Sequence, residues 1–196
     1  AAVEPHLCCQ SKKKHNMKAI KKFVILGPES TGKSTLCKSL AEHFQSAWCE
    51  EYARAYLLKN GTSYTPTDLL KIAKGQLKLE ELTTKSLVES NKTPILFIDT
   101  DMYVMKVWSE YVFGECDFFI LDNIVKQKYD GYLLCNIDLP WIKDELREYP
   151  DEKPRQELFA IYKDLLMNQS TPWALINGNN TERTQAGIKA INQFML

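Results

Sequence analysis

The run Gly27-Pro28-Glu29-Ser30-Thr31-Gly32-Lys33-Ser34-Thr35 follows directly on Lys22-Phe23-Val24-Ile25-Leu26. That short apolar stretch reads as a buried strand, and the spacing of Leu36, Leu40 and Phe44 beyond the loop reads as one face of a helix. Glycines between the two let the backbone curl until several N–H groups converge on one point, where the helix N-terminus adds its positive end. The G-x-x-x-x-G-K-[ST] spacing therefore predicts a loop that holds nucleotide phosphates through Gly27, Glu29, Ser30, Thr31, Gly32, Lys33, Ser34 and Thr35. Within it, Lys33 is expected to reach the β- and γ-phosphates and Ser34 to ligate Mg²⁺.

The remaining pattern builds an α/β fold around that strand. Apolar runs at Ala47–Glu50, Pro94–Ile98, Gly131–Ile137 and Trp173–Ile176 read as further strands. Helical spacing is expected over Tyr52–Lys59, from a cap at Thr67-Asp68 to about Ser90, and over Met102–Phe113, Phe118–Lys126, Arg155–Met167 and Thr181–Phe194. Strands alternating with helices imply a mainly parallel, doubly wound sheet, which binds ligands beyond the carboxyl ends of its strands. Glu50-Glu51, Asp99-Thr100-Asp101, the phosphate loop and the turn Asn177-Gly178-Asn179-Asn180 each follow a strand directly, so they should gather at one rim. Residues 138–155, charged and punctuated by Pro140, Pro150 and Pro154, read as an exposed flap at the same rim.

Composition narrows the class. The chain of 196 residues suits one α/β domain, here residues 17–196, with residues 1–16 an aperiodic tail or a non-native extension. Lys and Arg number 25 against 25 Asp and Glu, so no overall field favours nucleic acid or an anionic membrane. No apolar run approaches the roughly 20 residues that cross a bilayer. Cys37, Cys49 and Cys135 fall within predicted elements and read as reduced core thiols of a cytoplasmic protein, while Cys8-Cys9 beside His6 and His15 match no zinc spacing.

The rim residues suit phosphoryl transfer, in which the protein supplies mainly position and electrostatics. Asp99 closes an apolar strand where a second acidic group would hold Mg²⁺; capping the next helix is the alternative. Asp101 shares those choices, metal shell or substrate on one side and a helix cap on the other. Glu51 is a candidate to accept the proton of an attacking hydroxyl, with Glu50 as the alternative, since alternation lets one of the two point inward. Arg54, one helical turn beyond Glu50, either pairs with it or touches substrate. Arg147 and Arg155 carry planar guanidinium groups suited to migrating phosphate oxygens. Tyr103, Trp108 and Tyr111, on the helix after Asp101, offer faces for a flat ligand ring or pack in the core. Asn177 and Asn179 are candidate ATP contacts.

Taken together, Gly27-to-Thr35, Glu50-Glu51-Tyr52-Ala53-Arg54, Phe97-Ile98-Asp99-Thr100-Asp101, and Asp138-Leu139-Pro140-Trp141 with Asp144 and Arg147 resemble the ribosylnicotinamide kinase domain of NadR proteins, in order from about residue 20 to 195. The resemblance implies a P-loop kinase core with a five-stranded parallel sheet and a flap that closes over ATP. It implies ATP-dependent, Mg²⁺-assisted phosphorylation of the ribose 5′-hydroxyl of nicotinamide riboside. NadR proteins also carry an adenylyltransferase domain with paired histidines around glycine. The histidines here are His6, His15 and His43, outside any such motif, so adenylyl transfer and DNA binding are not expected. Two other readings share the phosphate loop: a kinase of another nucleoside or small alcohol, and a slow nucleotide-dependent switch. The second is disfavoured as a GTP switch by the lack of an N-K-x-D motif.

Overall fold

The computed structural model describes residues 19–196. The expectations for the tail, and for His6, Cys8, Cys9 and His15, lie outside the described residues. In chain order the elements are β1 (Lys21–Leu26), α1 (Lys33–His43), β2 (Ala47–Cys49), α2 (Tyr52–Asn60), α3 (Pro66–Val88) and β3 (Ile95–Asp99). They continue with α4 (Met102–Phe113), α5 (Phe118–Lys126), β4 (Gly131–Cys135), α6 (Glu152–Met167), β5 (Trp173–Ile176) and α7 (Asn180–Phe194). The five strands form one sheet in the order β2-β3-β1-β4-β5, every pairing parallel. The chain thus adopts the expected α/β class.

Period-two alternation assigns each strand residue to one of two cores. Phe23 and Ile25 of β1, Ile95 and Phe97 of β3, and Leu133 and Cys135 of β4 face α1 and α7, meeting Leu36, Leu40 and Ile191. Val24, Leu26, Leu96, Ile98 and Leu134 face the opposite layer, where Val104 and Val107 of α4 and Leu158 and Leu166 of α6 close over them. Strands buried on both faces explain why their sequences read as continuous apolar runs. A third cluster, from Leu57, Leu69, Ile72, Met105 and Ile120, joins α2, α3, α4 and α5 beside the sheet.

Several boundaries differ from the sequence reading. The cap of α3 is Thr65, two residues before Thr67: its hydroxyl accepts from Asp68 N while Asp68 Oδ2 accepts from Thr65 N, a reciprocal capping box with Pro66 at the first helical position. Asp68 is therefore the third helical residue, where its charge suits the positive helix end. The flap ends earlier than expected, because α6 starts at Glu152 and absorbs Arg155 into its first turn. Two glycines are required by close approach. A Cβ on Gly27, whose φ is +141°, would lie 2.7 Å from the Cys135 carbonyl oxygen of β4, and one on Gly75 would lie 2.1 Å from the Tyr52 ring.

Candidate active site

The parallel sheet brings the carboxyl ends of β1, β2 and β3 to one rim, and a cavity of about 280 Å³ opens there. One wall is the phosphate loop. Ser30 and Gly32 take left-handed backbone at φ 57° and 77°, which turns successive peptides inward, and α1 begins at once behind them. Gly27, Glu29, Ser30, Gly32, Lys33, Ser34 and Thr35 line the cavity, whereas Thr31 is buried, its hydroxyl donating to Pro28 O at 2.8 Å. Lys33 Nζ also donates to Pro28 O, at 2.9 Å, folded back on its own loop.

Beneath the loop lies Asp99, wholly buried at the end of β3. Its Oδ2 accepts from Ser34 Oγ at 2.5 Å, and its Oδ1 is buried with no partner. Burial first, then the Glu51 charge, holds this carboxyl well above the usual carboxylate range, against the opposing pull of Lys33 and Ser34. A buried acidic oxygen lacking a donor, beside a hydroxyl at the base of a phosphate loop, is the donor set that a hard cation needs. Mg²⁺ is ordinarily held by one or two protein oxygens with phosphates and waters completing the shell, so Ser34 and Asp99 fit it. Thr100, with φ at +79° and a buried hydroxyl without a partner, turns the chain sharply after Asp99.

Of the acidic pair after β2, Glu51 lines the cavity and Glu50 is exposed outside it. Gln76, buried on α3, sets this choice: its Oε1 accepts from Tyr52 N at 2.7 Å and its Nε2 donates to Glu50 O at 3.2 Å, pinning the turn on both sides of Glu51. No periodicity argument singles out such a glutamine. Arg54 pairs with neither glutamate. It makes a two-pronged contact with Asp144 of the flap, Nη1 to Oδ1 at 3.2 Å and Nη2 to Oδ2 at 3.0 Å, which draws the Asp144 carboxyl below its usual range.

Aromatic side chains complete the lining. Trp108 and Tyr111 of α4 line the cavity together with Tyr149 of the flap and Tyr162 of α6. Tyr111 and Tyr149 meet edge to face at 5.7 Å. Trp108 Nε1 donates to Tyr64 Oη at 2.8 Å, and Tyr64 Oη in turn donates to Glu148 Oε2 at 2.9 Å, so a loop residue links α4 to the flap. Tyr64, Glu148 and Tyr149 were not singled out from the sequence, because their contribution depends on where the flap comes to rest.

Other expected residues stand away from the cavity. Asp101 is the N-cap of α4, accepting from Tyr103 N at 3.0 Å and Val104 N at 3.3 Å; burial pushes its carboxyl up to about 7. Tyr103 packs on Tyr132 of β4 at 5.7 Å, pointing under the sheet side of α4 rather than to the cavity. Arg155 is buried on α6, with Nη2 within 3.4 Å of Leu139 O and its Nε unpartnered, so it backs the flap rather than swinging with it. Arg147 does line the cavity, its guanidinium donating to Ile142 O within the flap. Asn177 and Asn179 are exposed next to the loop: Asn177 Oδ1 accepts from Asn136, and Asn179 caps α7.

The flap is seated on the phosphate loop itself. Glu29 accepts from Trp141 Nε1 at 3.0 Å, Glu148 N at 2.9 Å and Tyr149 N at 2.7 Å. Ser30 Oγ accepts from Ile142 N at 3.0 Å. The side chains of Glu29 and Ser30 thus hold the flap.

Comparison with known proteins agrees with this architecture. The chain is 29% identical over 153 residues to the trifunctional NAD biosynthesis/regulator protein NadR of Escherichia coli, covering 75% of this chain and 36% of that protein, so it spans about a third of the relative's length. In fold it is similar to a NadR protein crystallised in complex with NR, with a TM-score of 0.71, 22% identity, and coverage of 89% of this chain and 49% of that one. A second NadR structure, in complex with NAD and AMP-PNP, matches with a TM-score of 0.70 at 22% identity over the same shares. Thymidylate kinase from Ehrlichia chaffeensis matches with a TM-score of 0.63 and 15% identity, covering 89% of this chain and 99% of that one. The fold is therefore that of the P-loop kinases, and its likeness to NadR holds in both sequence and structure. With residues 22–183 matched, the chain belongs to the AAA domain family.

Proposed function

We propose that this protein transfers the γ-phosphoryl group of ATP to the ribose 5′-hydroxyl of nicotinamide riboside, giving nicotinamide mononucleotide and ADP in the cytoplasm. One observation carries the reading: the phosphate loop, Glu51 and the aromatic side chains Trp108, Tyr111 and Tyr149 line a single cavity. That arrangement suits a triphosphate at one end and a flat nucleoside at the other. The likeness to NadR proteins, one of them crystallised with NR and another with AMP-PNP, supports the same choice of ligands.

In this reading the loop amides and Lys33 bind the β- and γ-phosphates, Lys33 leaving Pro28 O to do so. Ser34 and Asp99 would hold Mg²⁺, which neutralises charge on the phosphates. The nucleoside oxygen attacks the γ-phosphorus, its proton passes to Glu51, and the bond to the β–γ bridging oxygen breaks to release ADP. Arg147 steadies the transferring oxygens from the flap, and Arg155 holds the flap root from beneath. Because Glu29, Arg54 and Tyr64 clasp the flap over the cavity, water is kept from competing as acceptor. A cationic pyridinium over the face of Trp108 or Tyr111 gains a cation–π attraction of roughly 0.5 to 2 kcal/mol, where a neutral ring only stacks.

The test is a competition between nicotinamide riboside, adenosine, uridine and thymidine at equal concentration with Mg²⁺-ATP, following ADP and the nucleoside monophosphates. Nicotinamide riboside should be turned over first. Equal or faster turnover of another nucleoside would replace this reading by that of a general nucleoside kinase.

A further inference from the structure

Arg183 is the largest fully buried side chain, 1% exposed, and none of the chemistry above uses it. Its guanidinium donates through Nε to Gly178 O at 2.7 Å, through Nη1 to Thr31 O at 3.1 Å and Ile176 O at 3.4 Å, and through Nη2 to Asn136 O at 3.0 Å and to Asp138 Oδ1. Those acceptors belong to the last residue of β5 and to the segments that follow β1, β4 and β5. Asp138, the first residue of the flap, also accepts from Gly178 N at 2.6 Å. One planar cation on α7 therefore ties the phosphate loop, the flap root and the turn after β5 into one unit.

We propose that Arg183 is a positioning residue of the donor site, setting the peptide plane between Thr31 and Gly32. In a trans peptide the carbonyl and the amide N–H point in opposite directions. Arg183 draws the Thr31 carbonyl into the interior, consistent with Thr31 being 1% exposed and off the cavity wall, while Gly32 lines that wall. The Gly32 N–H is thereby turned to the phosphate side. Gly32 accepts the strain, because its φ of +77° lies in the left-handed region that glycine tolerates. Were the carbonyl free to rotate, its negative end would face the phosphates. Lysine cannot replace the fork, since its ammonium is a point charge without the planar set of donors that spans separated carbonyls. The same fork also makes the flap root and the loop move together, which links a closed flap to a correctly set loop.

This inference rests on the reading of the loop as a nucleotide site, and the experiment separates the two. Binding of ADP and of nicotinamide riboside is measured for the parent protein, Arg183→Lys and Asp138→Asn, and the Gly32 amide is followed by NMR in the isotope-labelled parent. ADP should move the parent's Gly32 amide proton downfield, as a new bond to phosphate requires. Arg183→Lys should weaken ADP about tenfold, the loss of a single charge-assisted hydrogen bond, and leave the nucleoside within about twofold. Asp138→Asn, which keeps every backbone acceptor, should weaken ADP less than Arg183→Lys. The NMR measurement needs no variant, so an unmoved Gly32 amide would overturn the proposal even where Arg183→Lys does not fold. Unchanged ADP affinity in folded Arg183→Lys, equal loss of ADP and nucleoside, or a Gly32 amide unmoved by bound ADP would overturn the proposal. Failure of ADP to bind the parent protein would instead remove the nucleotide-site reading, and this inference with it.

Discussion

Ser34 Oγ donates to Asp99 Oδ2 at 2.5 Å, joining the first turn of α1 to the end of the neighbouring strand β3 and leaving Asp99 Oδ1 without a donor. The pair is complete on one side and open on the other, as a cation site at the base of a phosphate loop should be.

That geometry has a pH consequence. Burial raises the Asp99 and Asp101 carboxyls above their ordinary 3.8, Asp101 to about 7. A carboxyl with a raised folded-state pKa stays protonated where the unfolded chain has already ionised, so the native state holds the extra proton and loses stability as pH rises from about 4 to about 7. The melting temperature of the ligand-free protein should fall between pH 5.5 and 7.5, and Asp99→Asn should flatten the slope while abolishing Mg²⁺-dependent ATP turnover. A melting temperature that rises across this window in both proteins would contradict the assignment.

Lys33→Ala should leave the fold intact, because the hydrogen bond that Nζ makes among the described residues goes to the Pro28 carbonyl of its own loop. Turnover should drop by 100-fold or more, on the order of 3 kcal/mol of transition-state stabilisation. Circular dichroism and steady-state kinetics check the two halves separately.

The cavity separates two adjacent glutamates, so Glu51→Gln should depress kcat by roughly 100-fold or more with ATP affinity little changed, while Glu50→Gln should stay near the parent. Reversed effects would assign the base to Glu50.

Glu29 holds two flap amides and the Trp141 indole, so Glu29→Gln should weaken the flap's seat. Limited proteolysis should then cut within residues 138–151 faster than in the parent, and ATP with nucleoside should restore protection. Arg147→Ala should lower the transfer rate roughly tenfold or more without loosening the flap in this way. Equal cleavage of parent and Glu29→Gln would show that the clasp lies elsewhere.

Gly75→Ala sets two effects against each other. Helix propensity alone favours alanine by about 1 kcal/mol. The added methyl would lie 2.1 Å from the Tyr52 ring, so overpacking of about 1 to 3 kcal/mol should win and lower the melting temperature. A more stable variant would mean that Tyr52 moves aside without cost.

The sequence alone determined the strand, loop and helix of the phosphate site, the parallel α/β class and the rim where its acidic residues meet. These follow from local chemistry: apolar runs buried on both faces, glycine where φ is positive, and strand-end placement in a parallel sheet. Bounds of α4, α5 and β5 were legible to the residue, since their apolar spacing and flanking Asp101, Asp117 and Gly114 are local signals. Tertiary structure alone decided which rim residues share the cavity. Glu51 rather than Glu50 faces inward because Gln76, from a helix far along the chain, pins their turn. Tyr103 was drawn away by Tyr132 of β4 and Arg155 by the early start of α6, whereas Asp101 takes the helix-cap alternative that local spacing already offered. The roles of Glu29, Tyr64 and Arg183 depend on partners up to 152 residues distant in sequence, and no periodicity or motif encodes such a pairing.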